Sequence, residues 1–185
     1  MTQKHTLTLT AYLQSTKAPW TSLLMVTAGP RAESLVRPPT GFTLKVIKGR
    51  QCKTPANLFA EFARALKFPD YFGHNWDALE ECLADLEWLP AKGYVLLITD
   101  AECVLPDNEE DYETFLEILR DAGEAWGNGQ AGTGARRATP FHVLFAVSEQ
   151  EKAERVHWGM KEINAEPTRN TNTRQQAPKR RPSRG

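Results

Sequence analysis

Residues 71–81 read Tyr71-Phe72-Gly73-His74-Asn75-Trp76-Asp77-Ala78-Leu79-Glu80-Glu81. The aromatic residues and Gly73 predict a tight turn, and Asn75 is a suitable N-cap for a helix that begins at Trp76. At about 3.6 residues per turn, one side of that helix is an apolar stripe of Trp76, Leu79, Leu83 and Leu86. The other side is an acidic ridge formed by Asp77, Glu80, Glu81 and Asp85. Solvated acidic helix faces are common, but an acidic ridge backed by an apolar stripe is also typical of a surface that binds a cationic partner.

The composition is that of a soluble globular protein. The chain has 185 residues, of which 41% are hydrophobic and 25% are charged. We find no apolar run long enough to span a membrane and no signal-peptide core. Its three cysteines match neither a disulfide framework nor a zinc-site spacing, which favours thiols in a reducing compartment. We therefore expect a cytoplasmic protein without a metal or cofactor.

Charge is strongly segregated along the chain, although the formal net charge is zero. Residues 54–126 hold 17 acidic and four basic side chains, whereas residues 167–185 hold six basic side chains and no acidic one. The acidic middle would repel phosphates, so it disfavours nucleic acid as a specific partner and favours a basic protein. The basic tail has the composition of a disordered segment.

The hydrophobic pattern predicts an α/β domain over residues 42–148. Strands are predicted at Phe42–Ile47, Tyr94–Thr99 and Phe141–Val147, and the last two are continuous apolar runs, typical of strands buried on both faces. The strands are separated by three helices: one that begins at Pro55 with Thr54 as N-cap, one from Trp76 to about Glu87, and one that begins near a D-x-x-E signal at Asp107. Strands separated by helices favour parallel pairing, so we expect a three-stranded parallel β-sheet packed with helices. Around it we expect an N-terminal extension at residues 1–41, with a short strand possible near Ser22–Thr27. A charged segment that allows a helix follows at residues 149–166, and the basic tail occupies residues 167–185.

Two chemical motifs are rejected or weak. Residues 127–132 match G-x-G-x-x-G by letter, but a helix precedes them and a strand follows, the reverse of the dinucleotide-binding context. His74 lies close in sequence to Asp77 and Glu81, yet neither a nucleophile nor a phosphate-binding loop accompanies them. These observations favour a protein that is not an enzyme.

The turn and helix at residues 71–79 resemble the signature of the barstar family, intracellular inhibitors of the secreted ribonuclease barnase. Residues 46–51 (Val-Ile-Lys-Gly-Arg-Gln) and the predicted helix at Phe115–Ala122 are also similar to that family, and the likeness covers about residues 44–147. The resemblance implies a barstar-like fold whose acidic helix enters a ribonuclease active site. It also implies a monomer that forms a 1:1 complex with a basic secreted-type ribonuclease or related toxin.

The resemblance further implies roles for individual residues. Tyr71 would pack against the catalytic histidine of the ribonuclease, Asp77 would be the first acidic anchor, and Asp121 would be a further acidic contact from the third helix. Glu81 stands where the family usually has an aspartate that fills the phosphate-binding site. Glu80 stands in place of a family tryptophan. These two departures imply a cognate enzyme other than barnase.

Three functional hypotheses follow. The first is inhibition of a barnase-like microbial ribonuclease, with partner contacts at Tyr71, Gly73, Asn75, Asp77, Glu80, Glu81, Asp85 and Asp121. The second is an immunity or regulatory adaptor that has the same fold and binds a different basic protein or toxin. The third and weakest is an enzyme that uses His74 with Asp77.

Overall fold

The computed structural model describes residues 8–26, 32–132, 136–152 and 158–164. Its strands are β1 (Thr21–Met25), β2 (Phe42–Lys48), β3 (Gly93–Thr99), β4 (Phe141–Val147) and β5 (Lys161–Asn164). Its helices are α1 (Leu9–Leu13), α2 (Ala32–Leu35), α3 (Pro55–Leu66), α4 (Trp76–Asp85), α5 (Glu109–Gly127) and α6 (Glu149–Lys152). Short 3₁₀ turns lie at Gly49–Gln51 and Ala101–Cys103.

The sheet is parallel, as predicted, but it has five strands rather than three. Their spatial order is β2-β3-β4-β1-β5, and each neighbouring pair runs parallel. The predicted strands are β2, β3 and β4, and each is found within a residue of its expected ends. The two additional strands come from segments that we interpreted as lying outside the central domain.

Strand β1 comes from the segment interpreted as an N-terminal extension, and it lies inside the sheet. It pairs with β4 on one side, where Leu23 is opposite Phe145, and with β5 on the other. Thr21–Leu24 are buried. The sequence allowed a short strand near Ser22–Thr27, but it did not predict the place of this strand inside the sheet, because the partners of a parallel strand lie far along the chain.

Two apolar layers cover the two faces of the sheet, as expected from the continuous hydrophobic runs of β3 and β4. Leu96, Ile98 and Phe145 face the larger layer, which contains α3, α4 and α5. Val95 and Leu97 face the smaller layer, which contains α1 and Val36. Helix α4 therefore lies on the outside of the larger layer, with one side against the core and the other exposed to solvent.

The helix ends follow local capping chemistry, with one correction. Thr54 caps α3 by accepting a hydrogen bond from the Asn57 N–H, as predicted. Helix α5 was expected to start at a D-x-x-E signal beginning at Asp107, but its N-cap is Asn108, whose side chain accepts from the Asp111 N–H at 3.1 Å. Asn108 can replace Asp107 as the N-cap because its amide oxygen accepts from one of the free N–H groups in the first turn of the helix.

The charged segment at residues 149–166 contains both the short helix α6 and strand β5. The predicted basic tail at residues 167–185 lies outside the described residues. Among the helices that the structure describes, none is both long and apolar enough to cross a membrane.

Candidate functional site

An aromatic cluster fixes the turn that leads into α4. Phe72 is buried and packs edge-on against Phe68, with ring centroids 4.8 Å apart, and against Phe59 at 6.4 Å. The Trp76 ring, at the start of α4, stands edge-on to Phe59 at 4.8 Å. Contacts of this kind add to the free energy of apolar burial. They hold the turn and the first residue of the helix against α3.

Gly73 and Asn75 have structural roles in the turn. The Asn75 side chain accepts a hydrogen bond from the Ala78 N–H at 2.8 Å, so Asn75 is the predicted N-cap. A Cβ atom at Gly73 would lie 3.3 Å from the Asn75 amide nitrogen and 3.4 Å from the Ala78 Cβ. The residue with the left-handed conformation is His74, with φ of 51°, and not the glycine. Gly73 is therefore favoured by close packing against the cap.

The acidic ridge lies on the solvent side of α4. Asp77, Glu80 and Glu81 are exposed, while Leu79 and Leu83 on the opposite side are buried. Within the part of the chain that the structure describes, no ion pair or side-chain hydrogen bond engages these three carboxylates. They are free to meet cationic groups of another molecule.

Asp85, the fourth member of the acidic ridge, differs from the other three. It is half-buried, and its carboxylate is 3.3 Å from the Nη2 atom of Arg136. The same guanidinium lies 2.8 Å from the Glu87 carboxylate and donates from Nη1 to the Asp85 backbone oxygen at 2.8 Å. Arg136 was not predicted as part of this site, because 51 residues separate it from Asp85 and no local pattern links them.

A cavity of about 400 Å³ opens beside the acidic ridge. Its lining includes Glu81, Cys82 and Asp85 of α4, together with Tyr71 and Gln130. Tyr71 is 75% exposed, in contrast to the buried aromatic residues around it. Burial, followed by the nearby Asp85 and Glu81 carboxylates, raises the pKa of Cys82 to about 11, so its sulfur is a thiol at neutral pH.

Helix α5 packs beside α4 and brings Asp121 to the same layer of the molecule. The Trp126 indole of α5 donates to the Leu83 backbone oxygen of α4 at 2.8 Å, which ties the two helices together. Asp121 itself is exposed. Its contribution to a binding surface remains a prediction.

Among the described residues, this site shows neither a contact between His74 and a carboxylate nor a metal-binding cluster. His74 is exposed and packs against Phe72 with ring centroids 4.7 Å apart. No hydrogen bond or ion pair joins it to Asp77 or Glu81 in the described ranges. Nor do these ranges contain a group of three His, Cys, Asp or Glu side chains suited to a metal ion. The site offers exposed carboxylates and an exposed aromatic ring.

The model of the family described as Barstar (barnase inhibitor) matches residues 42–146, the stretch from β2 to β4. The matched stretch includes the turn before α4, α4 itself and α5. No curated protein matches the chain.

Proposed function

The chain belongs to the barstar family, and from that premise we propose that it is a protein inhibitor of a basic microbial ribonuclease. The proposal is that α4 presents carboxylates at the positions where the enzyme would bind RNA phosphates. A ribonuclease must place cationic groups there, and a carboxylate can form charge-assisted hydrogen bonds with the same groups. Inhibition then needs occupancy of the active site and no chemistry by the inhibitor.

The main support for this proposal is the exposure of Asp77, Glu80 and Glu81. All three are exposed on a helix whose opposite side is anchored in the core. Because they have no cationic partner among the described residues, they create a negative potential that a basic enzyme would meet. Tyr71 adds an exposed ring at one end of this surface. We propose Tyr71, Asp77 and Glu81 as the main contacts, with Asp121 at the edge.

The test is inhibition of RNA cleavage by a panel of purified basic microbial ribonucleases that includes barnase. We expect at least one enzyme to be inhibited, with association that slows as salt screens the opposite charges. Glu81→Ala or Asp77→Ala should weaken that inhibition by about 2–5 kcal/mol, largely because cationic groups of the enzyme are left unpaired. Circular dichroism should show that both variants stay folded.

Glu33→Ala is a matched control. Glu33 is an exposed carboxylate on α2, which packs with the smaller apolar layer on the other face of the sheet. Glu33→Ala removes the same charge as Glu81→Ala. Because it does so on the other face of the sheet, it should leave inhibition nearly unchanged. Equal effects of Glu33→Ala and Glu81→Ala would show that only net charge matters and would reject the proposed contact surface.

The adaptor hypothesis makes a different prediction in the same assay. An immunity or regulatory adaptor would bind a basic protein without blocking RNA cleavage. Binding without inhibition throughout the panel would therefore favour the adaptor, and neither binding nor inhibition would reject the ribonuclease proposal. RNA cleavage by the protein alone would instead support the enzyme hypothesis based on His74 and Asp77.

A further inference from the structure

Arg136 joins three parts of the molecule around the cavity. Its guanidinium bonds to the Asp85 backbone oxygen and to the carboxylates of Asp85 and Glu87. The guanidinium carbon also lies 5.3 Å from the centre of the Trp126 ring on α5. A cation over an aromatic face and between two carboxylates is held from several directions. This single side chain therefore links the end of α4, helix α5 and the loop that follows α5.

The loop is shaped to fit this arginine. The Arg136 N–H donates to the Gly129 oxygen at 3.0 Å, which closes the loop on itself. Gly132 has φ of 75°, and a Cβ atom there would lie 2.6 Å from the Arg136 Nη2 atom. At its start, the Gln130 and Ala131 N–H groups both donate to the Ala125 oxygen at the end of α5. Residues 129–132 are thus held at both ends.

The position of this loop defines one side of the cavity. Gln130 and Gly132 line it together with Glu81 and Cys82 of α4. Loss of the Arg136 contacts would release the loop from α4, while the core contacts of α4 through Leu79 and Leu83 would remain. The cavity wall would then lose its fixed position without unfolding of the domain.

We propose that Arg136 is a positioning residue that holds residues 129–132 as the outer wall of the cavity, so that the partner-binding surface extends from α4 to Gln130. This inference rests on the proposed function, because the partner is taken to be a basic protein that contacts α4. Arg136 acts through the loop and does not itself need to touch the partner. The surface is then composite, with carboxylates on one side and a polar loop on the other.

The affinity of Arg136→Gln for a ribonuclease distinguishes an electrostatic role of Arg136 from a positioning role, because the two roles predict opposite changes. Arg136→Gln removes a positive charge from an acidic surface, so electrostatics alone would strengthen binding to a basic enzyme. If position matters, affinity for the ribonuclease most strongly inhibited in the panel should instead fall, by about tenfold for the loss of a fixed wall. Arg137→Gln makes the same charge change at an exposed neighbouring residue and should bind as well as the wild type or better. Unchanged or increased affinity of Arg136→Gln would overturn the proposal.

Thiol labelling gives a second test that needs no partner. Cys82 lines the cavity and is 5% exposed, whereas Cys52 is 1% exposed and lies in the core apart from the cavity lining. Alkylation of each cysteine can be followed by mass spectrometry of peptides. Arg136→Gln should increase the labelling rate of Cys82 by roughly tenfold or more with little change at Cys52, because only the local wall opens.

The labelling ratio separates the possible failures. A parallel increase at Cys52 and Cys82 would mean that Arg136 supports global stability, and equal rates in wild type and Arg136→Gln would mean that it does not hold the wall. Either result would overturn the inference. If no enzyme in the panel binds, the proposed function fails, and the proposed extension of the binding surface fails with it. The labelling ratio still decides whether Arg136 holds the loop.

Discussion

The contact between Trp20 and α5 tests whether the N-terminal residues are part of the folded sheet. Trp20 immediately precedes β1 and is 8% exposed. A Cβ atom at Gly123 would lie 2.5 Å from both the Cβ and Cγ atoms of Trp20, and one at Gly127 would lie 2.2 Å from its Cη2 atom. The indole thus occupies the space that side chains at these two helix positions would need.

The expected free-energy changes follow from this geometry. Trp20→Gly removes a large buried side chain together with its Cβ atom and should cost about 3–5 kcal/mol of stability or more. Gly123→Ala in the wild type forces the indole to move and should cost about 1–3 kcal/mol. When Trp20 is replaced by glycine, its Cβ, Cγ and Cδ2 atoms, the three nearest to a Cβ at Gly123, are all removed. Alanine is then better than glycine inside a helix by roughly 1 kcal/mol. The effect of Gly123→Ala should therefore change from destabilising to stabilising, a coupling of about 2–4 kcal/mol.

Urea unfolding followed by far-ultraviolet circular dichroism measures this cycle without relying on the fluorescence of the replaced tryptophan. Glu124→Ala is a useful control, because Glu124 is exposed on the same helix and should have equal effects in both backgrounds. Additive effects of Trp20→Gly and Gly123→Ala would refute the packing of Trp20 on α5. Residues 8–26 would then be a separate extension after all.

Two further predictions concern α4 and the sheet. Asn75→Ala should destabilise the protein by about 1 kcal/mol in urea unfolding because it removes the acceptor for the Ala78 N–H, whereas Asn75→Asp keeps an acceptor and should cost less. His142 is fully buried, bonds through Nε2 to the Ser15 oxygen at 2.8 Å, and has a pKa that burial lowers from 6.5. Folding thus favours neutral His142, so its contribution to stability is present above pH 6.5 and is lost as pH falls from there toward the lowered folded-state pKa. Unfolding measured across this range should show a steeper loss for the wild type than for His142→Gln, and identical pH profiles would contradict this reasoning.

Much of the central fold could be predicted from local patterns. The buried runs of β3 and β4 and the caps at Thr54 and Asn75 depend on residues close together in the chain, and these predictions were confirmed. Helix α4 ends slightly earlier than the expected Glu87, because Leu86 takes a left-handed conformation with φ of 45°. A leucine gives no sequence signal for such an end, since glycine is the usual residue there.

The features that could not be predicted depend on contacts between distant residues. The sequence allowed a short strand near Ser22–Thr27, but the place of β1 inside the sheet depends on its pairing with β4 and β5. In the same way, the sequence grouped Asp85 with the other carboxylates by helical spacing, and only the fold shows that Arg136 reaches it. The exposed position of Asp77, Glu80 and Glu81 agrees with the predicted acidic ridge, while their role in binding stays a prediction.

The electrostatics of α4 give a reason to expect a partner for the middle of the acidic ridge. Asp77 lies in the first turn, where the helix dipole favours a negative charge. Asp85 lies in the last turn, where the dipole disfavours it, and Arg136 offsets that charge. Glu81 has neither advantage, and it is four residues from both Asp77 and Asp85, a spacing at which like charges destabilise a helix by about 0.2–0.5 kcal/mol per pair. Under the proposed function, cationic groups of the partner would offset this repulsion, so the charge of Glu81 would be favourable in the complex although it is unfavourable in the free protein.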